Sequence, residues 1–138
     1  MHPAHHALTS VKIWGGKPDD YQHIHDWFDA TKELWADARH RALRHHSQGI
    51  FEAERVFGST ITNSDGKRVP VRYIGEQHVK EDCGGRIPTV IDWLGEIPMR
   101  PWMNRSYKVT PVVEVRDNEG YKVAPADGSE TKNASATI

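Results

Sequence analysis

The chain has little of several features that define common protein classes. Its single cysteine, Cys83, excludes an intrachain disulfide and any zinc site built from several thiolates of one chain, and it favours a reducing compartment. No stretch approaches the roughly 18 consecutive apolar residues of a membrane span, and the N-terminal segment lacks the basic start and apolar run of a signal peptide. We therefore expect a cytoplasmic protein, bacterial or in the host of a phage, with no membrane partner.

Net charge is also lacking, because 18 Lys and Arg are balanced by 19 Asp and Glu. The composition therefore gives no global electrostatic reason to bind nucleic acid. Histidine, in contrast, is abundant, with nine in 138 residues. Neutral imidazole binds metal ions and imidazolium pairs with anions near neutral pH, so any site is expected to be local and to involve some of these side chains.

The hydrophobic pattern predicts an α+β fold around a long N-terminal helix or helix pair. Apolar residues recur at helical spacing from Tyr21 to Phe57, which predicts a helix beginning near Asp20 with a break near Gly49. Residues 59–62 and 69–74 alternate in strand fashion around a turn, which predicts a β-hairpin with Pro70 at an edge or a bulge.

The remaining segments are shorter. Residues 7–14 are typical of a helix or a strand, and two short helices are expected over 76–83 and 86–94. The length and the 37% apolar content suffice for one core. We expect a single globular domain over 1–104, a C-terminal extension over 105–125 with strands that include Val109, and a polar tail over 126–138. Homo-oligomerisation stays open.

The basic run from Arg39 to His46 is the first candidate site. On a helical wheel, Arg41 and His45 share a stripe that ends at Glu52, which would suit an accessible anion site. His46 and Arg39 fall near the apolar face, where a polar group needs a partner, and His40 and Arg44 point to solvent. As an alternative, the stripe is a solvated helix face with ion pairs, and His46 is a core histidine that is hydrogen-bonded within the fold.

The segment from Gly75 to Asp82 is the second candidate. If it is helical, His78 faces Asp82 four residues later and Glu81 three residues later, a spacing that presents one nitrogen and one or two carboxylate oxygens to a divalent ion. Gln77 lies beside it. A charged, capped short helix is the alternative interpretation.

The pair His25-Asp26 is the third candidate, and it is similar to the metal-binding dyad of the HD-type phosphohydrolases. The helices of that family also supply a separate His and a later Asp, for which the resemblance nominates His5 or His6 and Asp82. The similarity covers the dipeptide alone.

Three functional hypotheses follow. The first is a pocket for a small anionic, nucleotide- or phosphate-like ligand, lined by Arg39, Arg41, His45, His46, Glu52, Gln77 and His78. The second is a metal-dependent hydrolase that holds a divalent ion such as zinc through His25, Asp26, His46, His78 and Asp82. The third is a phage or bacterial structural or interaction protein. Convergence of His45 or His46 with His78 and a carboxylate within about 5 Å of one point would favour the metal hypothesis.

Several segments together resemble an uncharacterised family of short bacterial and phage proteins. They are residues 5–8, 14–16, 25–29, 39–46 with 49–50, and 75–82 without Lys80, and the resemblance covers roughly residues 5–95. It implies a bacterial or phage origin and transfers no activity. The chain after Trp102 lies outside it.

Overall fold

The computed structural model describes residues 2–104, 112–117 and 120–125, and the chain divides after Leu94 into two units. In the first unit the elements run α1 (Pro3–Trp14), α2 (Asp19–Asp29), α3 (Ser47–Phe57), β1 (Thr60–Thr62), β2 (Arg68–Pro70), α4 (Val71–Asp82) and α5 (Val90–Leu94). In the second unit a 3-10 turn at Pro101–Asn104 precedes β3 (Val112–Asp117) and β4 (Gly120–Pro125). The fold is α+β, as predicted, and mostly helical. Among the described helices, none combines the length and apolar character needed to cross a membrane.

The predicted continuous helix through the basic run is wrong. After α2 the chain passes through 3-10 turns at Ala30–Glu33 and Ala38–Leu43 before α3 begins. The Asp37 carboxylate caps the second turn by accepting from the Arg39 N–H at 2.8 Å, and His46 Nδ1 caps α3 by accepting from the Gly49 N–H at 3.0 Å. Such local side-chain caps compete with a continuous helix. Because residues 39–46 do not form one continuous helix, the predicted division of the basic run into an accessible stripe and an apolar face does not apply.

The predicted hairpin is present, with antiparallel register Thr60↔Pro70, Ile61↔Val69 and Thr62↔Arg68. Its second strand was predicted too long, since α4 begins directly after Pro70 rather than at Glu76. The buried residues of α4 recur at helical spacing from Val71 onward, so packing favours the helix there.

The predicted C-terminal strands are confirmed as β3 and β4, which pair from Val112↔Pro125 to Asp117↔Gly120. Val109 and the predicted polar tail over 126–138 lie outside the described residues. The predicted domain boundary at residue 104 stays a prediction.

The apolar core of the first unit lies between α2, α3, α4 and the hairpin. Its buried members are Tyr21, Ile24, Phe28, Ile50, Ala53, Val69, Val71, Ile74 and Val79. Gly75 lets α4 approach closely, because a Cβ there would lie 3.1 Å from Phe28 Cζ and 3.3 Å from Ile50 Cγ2. One turn later, the His78 ring stacks on Phe28 with centroids 5.0 Å apart. The close packing of α4 therefore carries a polar ring to the edge of the core.

A candidate metal centre of histidine and aspartate

Six ionisable side chains converge beside the apolar core, and we call them the His/Asp cluster. α1, α2 and α4 supply five of them and the segment before α3 supplies the sixth: His6, His25, Asp29, His45, His78 and Asp82. The four histidines are 0% exposed, and the side chains of Asp29 and Asp82 are 5% and 1% exposed. Burial of so many ionisable groups is unfavourable unless they are paired or bind a metal ion.

The ligand atoms of the cluster lie close together. Asp82 Oδ2 lies 2.9 Å from His45 Nε2 and 3.2 Å from His78 Nε2, and Asp82 Oδ1 lies 3.3 Å from His6 Nε2. Asp29 Oδ1 lies 3.4 Å from His78 Nε2. One atom from each of His6, Asp29, His78 and Asp82 lies within 4.8 Å of the other three. Bonds of about 2.1 Å place the ligands of a tetrahedral ion roughly 3.4 Å apart, so the spacing suits a single ion.

His45 stands beside this set of four. Its Nε2 lies 3.2 Å from His78 Nε2 and 3.5 Å from Asp29 Oδ1, in addition to the contact with Asp82. Its other ring nitrogen, Nδ1, is buried without a hydrogen bond. His45 can therefore serve as a further ligand or as a proton acceptor next to an ion.

His25 belongs to a second possible set, since atoms of His6, His25 and His78 also lie within 4.8 Å of one another. Both of its nitrogens are already engaged: Nε2 lies 2.8 Å from Ser10 Oγ, and Nδ1 lies 2.9 Å from His78 Nδ1. The set that includes the two carboxylates is therefore the better donor set for a cation.

The electrostatics of the cluster favour a bound cation. Burial raises the pKa of Asp29 and of Asp82, but contacts with the imidazoles of His45 and His78, and for Asp82 also of His6, outweigh it, and both pKa values lie well below their ordinary range. Burial lowers the pKa of His6, yet Asp82 and Glu81 more than compensate and the net shift is upward. His6 Nε2 and Asp29 Oδ2 are buried without a hydrogen bond. Two buried carboxylates thus stay anionic against imidazoles.

A network of three polar side chains supports the cluster from behind. Gln77 lies 2.6 Å from Ser10 Oγ through Oε1 and 2.6 Å from Glu81 Oε1 through Nε2, and its Nε2 also donates to the His6 carbonyl at 2.9 Å. Glu81 Oε1 lies 2.9 Å from His6 Nδ1. Carboxylates and amides in this position orient metal-binding histidines.

Asp29 also borders the outside of the molecule. It lines an open pocket of about 410 Å³ together with Pro3, Asp26, Lys32 and Glu33. The Lys32 ammonium lies 3.9 Å from Asp29 Oδ2. The cluster is therefore buried but has a carboxylate at the wall of a surface pocket.

Six of the residues that the sequence predicted for a site do lie in or against the cluster. They are His25, Arg41, His45, Gln77 and His78 with Asp82, the last of which accepts at its carbonyl from Arg41 Nη1 at 3.1 Å. The distance criterion for the metal hypothesis is met by His45, His78 and Asp82. The prediction of an accessible His45 is wrong, because the side chain is fully buried.

The other predicted site residues lie elsewhere. Asp26 is exposed and accepts from Gln22 Nε2 at 2.9 Å on the surface of α2. The Arg39 side chain is 74% exposed and paired with Asp37, so its expected burial is wrong. His46 is used as the cap of α3, and Glu52 lies half-buried on that helix.

His40 also corrects an expectation. The sequence predicts an imidazole that points to solvent, but the His40 side chain is buried and its Nδ1 lies 2.8 Å from Thr31 Oγ1. Burial lowers the pKa of His40. This pair fastens the second 3-10 turn to the first.

The sequence predicts four members of the site only in part or not at all. It gives His6 only through the HD-type resemblance and Glu81 only as a possible metal ligand beside His78, and it gives no role to Asp29 or Ser10. One signal was available, because His25-x-x-x-Asp29 on α2 repeats the spacing of His78-x-x-x-Asp82 on α4. A repeated i, i+4 pairing on two helices is more informative than either pair alone.

Comparison with known families matches residues 1–103 to a family described as a domain of unknown function, DUF6915. The chain belongs to this family, which confirms the predicted membership of an uncharacterised family; the bacterial or phage origin stays a prediction. The whole His/Asp cluster lies within the matched residues. Searches of curated proteins and of solved structures found no match.

Proposed function

We propose that this protein binds one divalent transition-metal ion through His6, Asp29, His78 and Asp82, and that it acts as a metal-dependent hydrolase. One observation carries the proposal: four ligand atoms from three helices lie within 4.8 Å of one another in the interior. Mixed imidazole and carboxylate donors suit zinc, iron(II) or manganese(II). Zinc is therefore the first probe.

The pocket at Asp29 supports a catalytic rather than a closed structural site. With four protein ligands, a water or substrate atom would have to bind as a fifth ligand, to which catalytic zinc sites can expand, and Asp29 lines a surface pocket from which it could approach. A divalent ion there would lower the pKa of a bound water, whose OH and H would be added across the cleaved bond of the substrate. His45 is placed to accept the water proton.

Two cations beside the proposed ligands support an anionic substrate, while a bound divalent ion would offset the carboxylates of Asp26, Asp29 and Glu33 that line the same pocket. Lys32 lies in the pocket wall, and Arg41, with a side chain 26% exposed, lies 3.8 Å from Asp82 Oδ1 on the cluster. A phosphate or carboxylate group that approached the ion would meet the Lys32 ammonium and the Arg41 guanidinium, which contact Asp29 and Asp82 in the structure. Phosphate esters are therefore the first substrates to test.

Metal content tests the first half of the proposal. Untagged protein, stripped with a chelator and dialysed against zinc, should retain about one ion per chain by plasma mass spectrometry. His78→Ala should lose the ion, whereas His23→Ala should keep it, because His23 is exposed on α2 and contacts Phe57 instead of the cluster. Equal zinc content in the two variants, or none in the wild type, would overturn the proposal.

Turnover tests the second half. Zinc-loaded protein should hydrolyse p-nitrophenyl phosphate or bis-p-nitrophenyl phosphate, and both chelation and Asp29→Asn should abolish the activity. Retained zinc without turnover of either ester would remove the hydrolase and leave a structural metal site.

A further inference from the structure

The orientation of Gln77 is fixed by its neighbours. Its side-chain amide faces the His6 carbonyl at 2.9 Å and Glu81 Oε1 at 2.6 Å, and both are acceptors only. The NH₂ group must therefore face these two oxygens, because the reverse orientation would set oxygen against oxygen. Gln77 Oε1 is then left facing Ser10 Oγ at 2.6 Å.

The direction of the next hydrogen bonds follows from this orientation. Ser10 has one hydroxyl hydrogen, and a 2.6 Å contact with the Gln77 carbonyl oxygen requires it. Ser10 Oγ must consequently accept from His25 Nε2 at 2.8 Å. His25 Nε2 therefore carries a hydrogen.

This series of hydrogen bonds ends at His78. A doubly protonated His25 would place a positive charge, fully buried, 5.3 Å from the His6 ring and 5.2 Å from the His78 ring, so His25 is neutral and its Nδ1 carries no hydrogen. The hydrogen in the 2.9 Å contact between the two Nδ1 atoms therefore belongs to His78. Neutral His78 then turns a bare Nε2 toward Asp29 and Asp82.

A second, shorter series of hydrogen bonds leaves the Nε2 of His6 bare as well. Glu81 Oε1 accepts from His6 Nδ1 at 2.9 Å, so the hydrogen of neutral His6 is on Nδ1 and its Nε2 is bare. That nitrogen faces Asp82 Oδ1 at 3.3 Å. Two lone pairs thus face carboxylate oxygens, an arrangement that only extra protons or a metal ion can stabilise.

We infer that Glu81, Gln77 and Ser10 are positioning residues that fix the tautomers of His6 and His78, so that both rings offer Nε2 to the metal ion. The inference rests on the proposed metal centre and deepens it. Outer partners of this kind orient ligand rings and raise their basicity.

Ser10→Ala is the sharpest test, with Thr9→Ala as its matched control. Ser10 and Thr9 are neighbours on α1, and each hydroxyl lies 3.1 Å from the carbonyl four residues earlier, but only Ser10 contacts His25. Without Ser10 Oγ, the hydrogen of His25 can move to Nδ1. The hydrogen of His78 would then move from Nδ1 to Nε2, the nitrogen that faces the two aspartates. Zinc affinity should fall about 10- to 100-fold in Ser10→Ala and stay unchanged in Thr9→Ala, and Ser10→Thr should restore it.

Nitrogen-15 spectra of the histidine rings give a readout that a merely structural role would not change. In the zinc-loaded wild type, His6 and His78 should be bound through Nε2 and keep a hydrogen on Nδ1. In zinc-loaded Ser10→Ala, His78 should lose that pattern while His6 keeps it. Binding of either ring through Nδ1 in the wild type would overturn the inference.

A second pair of variants tests the inference if the Ser10→Ala protein does not fold. Glu81→Ala removes the carboxylate at the partly exposed edge of the network, and Glu76→Ala removes a carboxylate that lines the same groove between α1 and α4. Only Glu81→Ala should weaken zinc binding. Wild-type zinc binding that neither Ser10→Ala nor Glu81→Ala weakens would refute the positioning role alone, whereas a wild type without zinc would refute the metal centre.

Discussion

His25 and His78 meet nitrogen to nitrogen, with their Nδ1 atoms 2.9 Å apart in the interior. The single hydrogen between them decides which nitrogen of His78 faces the two aspartates. A contact between α2 and α4 therefore controls whether the cluster offers a metal ion a lone pair or an N–H.

The two aspartates of α2 should behave oppositely. Asp29→Asn removes a buried charged ligand and should lower zinc affinity by at least about 100-fold, since even outer partners typically account for 10- to 100-fold. Asp26→Asn, on the exposed face of the same helix, should leave the affinity unchanged. Competition against a zinc chelator measures both, and similar losses would mean that neither carboxylate binds the ion.

The folded protein should be stabilised by zinc. An ion that binds the folded state alone adds about 2.7 kcal/mol at a free concentration 100 times its Kd, so calorimetry should show a higher Tm with zinc and a lower Tm after chelation. His78→Ala should show no zinc-dependent shift. An equal shift in His78→Ala would indicate weak binding at exposed histidines instead.

Zinc binding should weaken as the pH falls. Protons compete for the imidazole ligands, whose ordinary pKa is about 6.5, and the raised pKa of His6 places the start of this competition above that value. Affinity should be high near pH 7.5 and lower near pH 5.5, with about two protons released per ion at low pH. Titration calorimetry in buffers of different ionisation enthalpy measures the protons, and affinity independent of pH would exclude histidine ligands.

Substitution of the adjacent residues His45 and His46 should have different effects, one on metal chemistry and the other on the free energy of unfolding. His46→Ala removes the cap of α3 and should cost about 1 kcal/mol in the free energy of unfolding, with zinc affinity intact. His45→Ala should impair ester hydrolysis or zinc binding. Urea unfolding and chelator competition distinguish the two, and loss of zinc in His46→Ala with intact His45→Ala would reverse the assignment.

Local spacing predicted part of the site. His78 and Asp82 were readable as a pair because both lie on one helix four residues apart, and the hairpin was readable from its turn. The position of the pair opposite His6 and Asp29 depends on packing between helices, which periodicity does not report. Gly75 illustrates this, since its role is the close approach to Phe28 and Ile50.

The prediction of one long helix is wrong for a related reason. Residues 30–46 have apolar periodicity and no proline, yet the side chains of Asp37 and His46 bind backbone N–H groups and end the regular structure. Polar residues that cap a turn look the same in sequence as polar residues on a helix surface. The burial of His40 and His45 follows from those turns and was not predictable from a wheel.

The most direct test of the metal centre is its position in a zinc-loaded crystal. Anomalous diffraction at the zinc edge should show one strong peak about 2.0–2.2 Å from His6 Nε2, His78 Nε2 and oxygens of Asp29 and Asp82. A peak only at exposed histidines such as His5 or His23, or no peak at all, would contradict it.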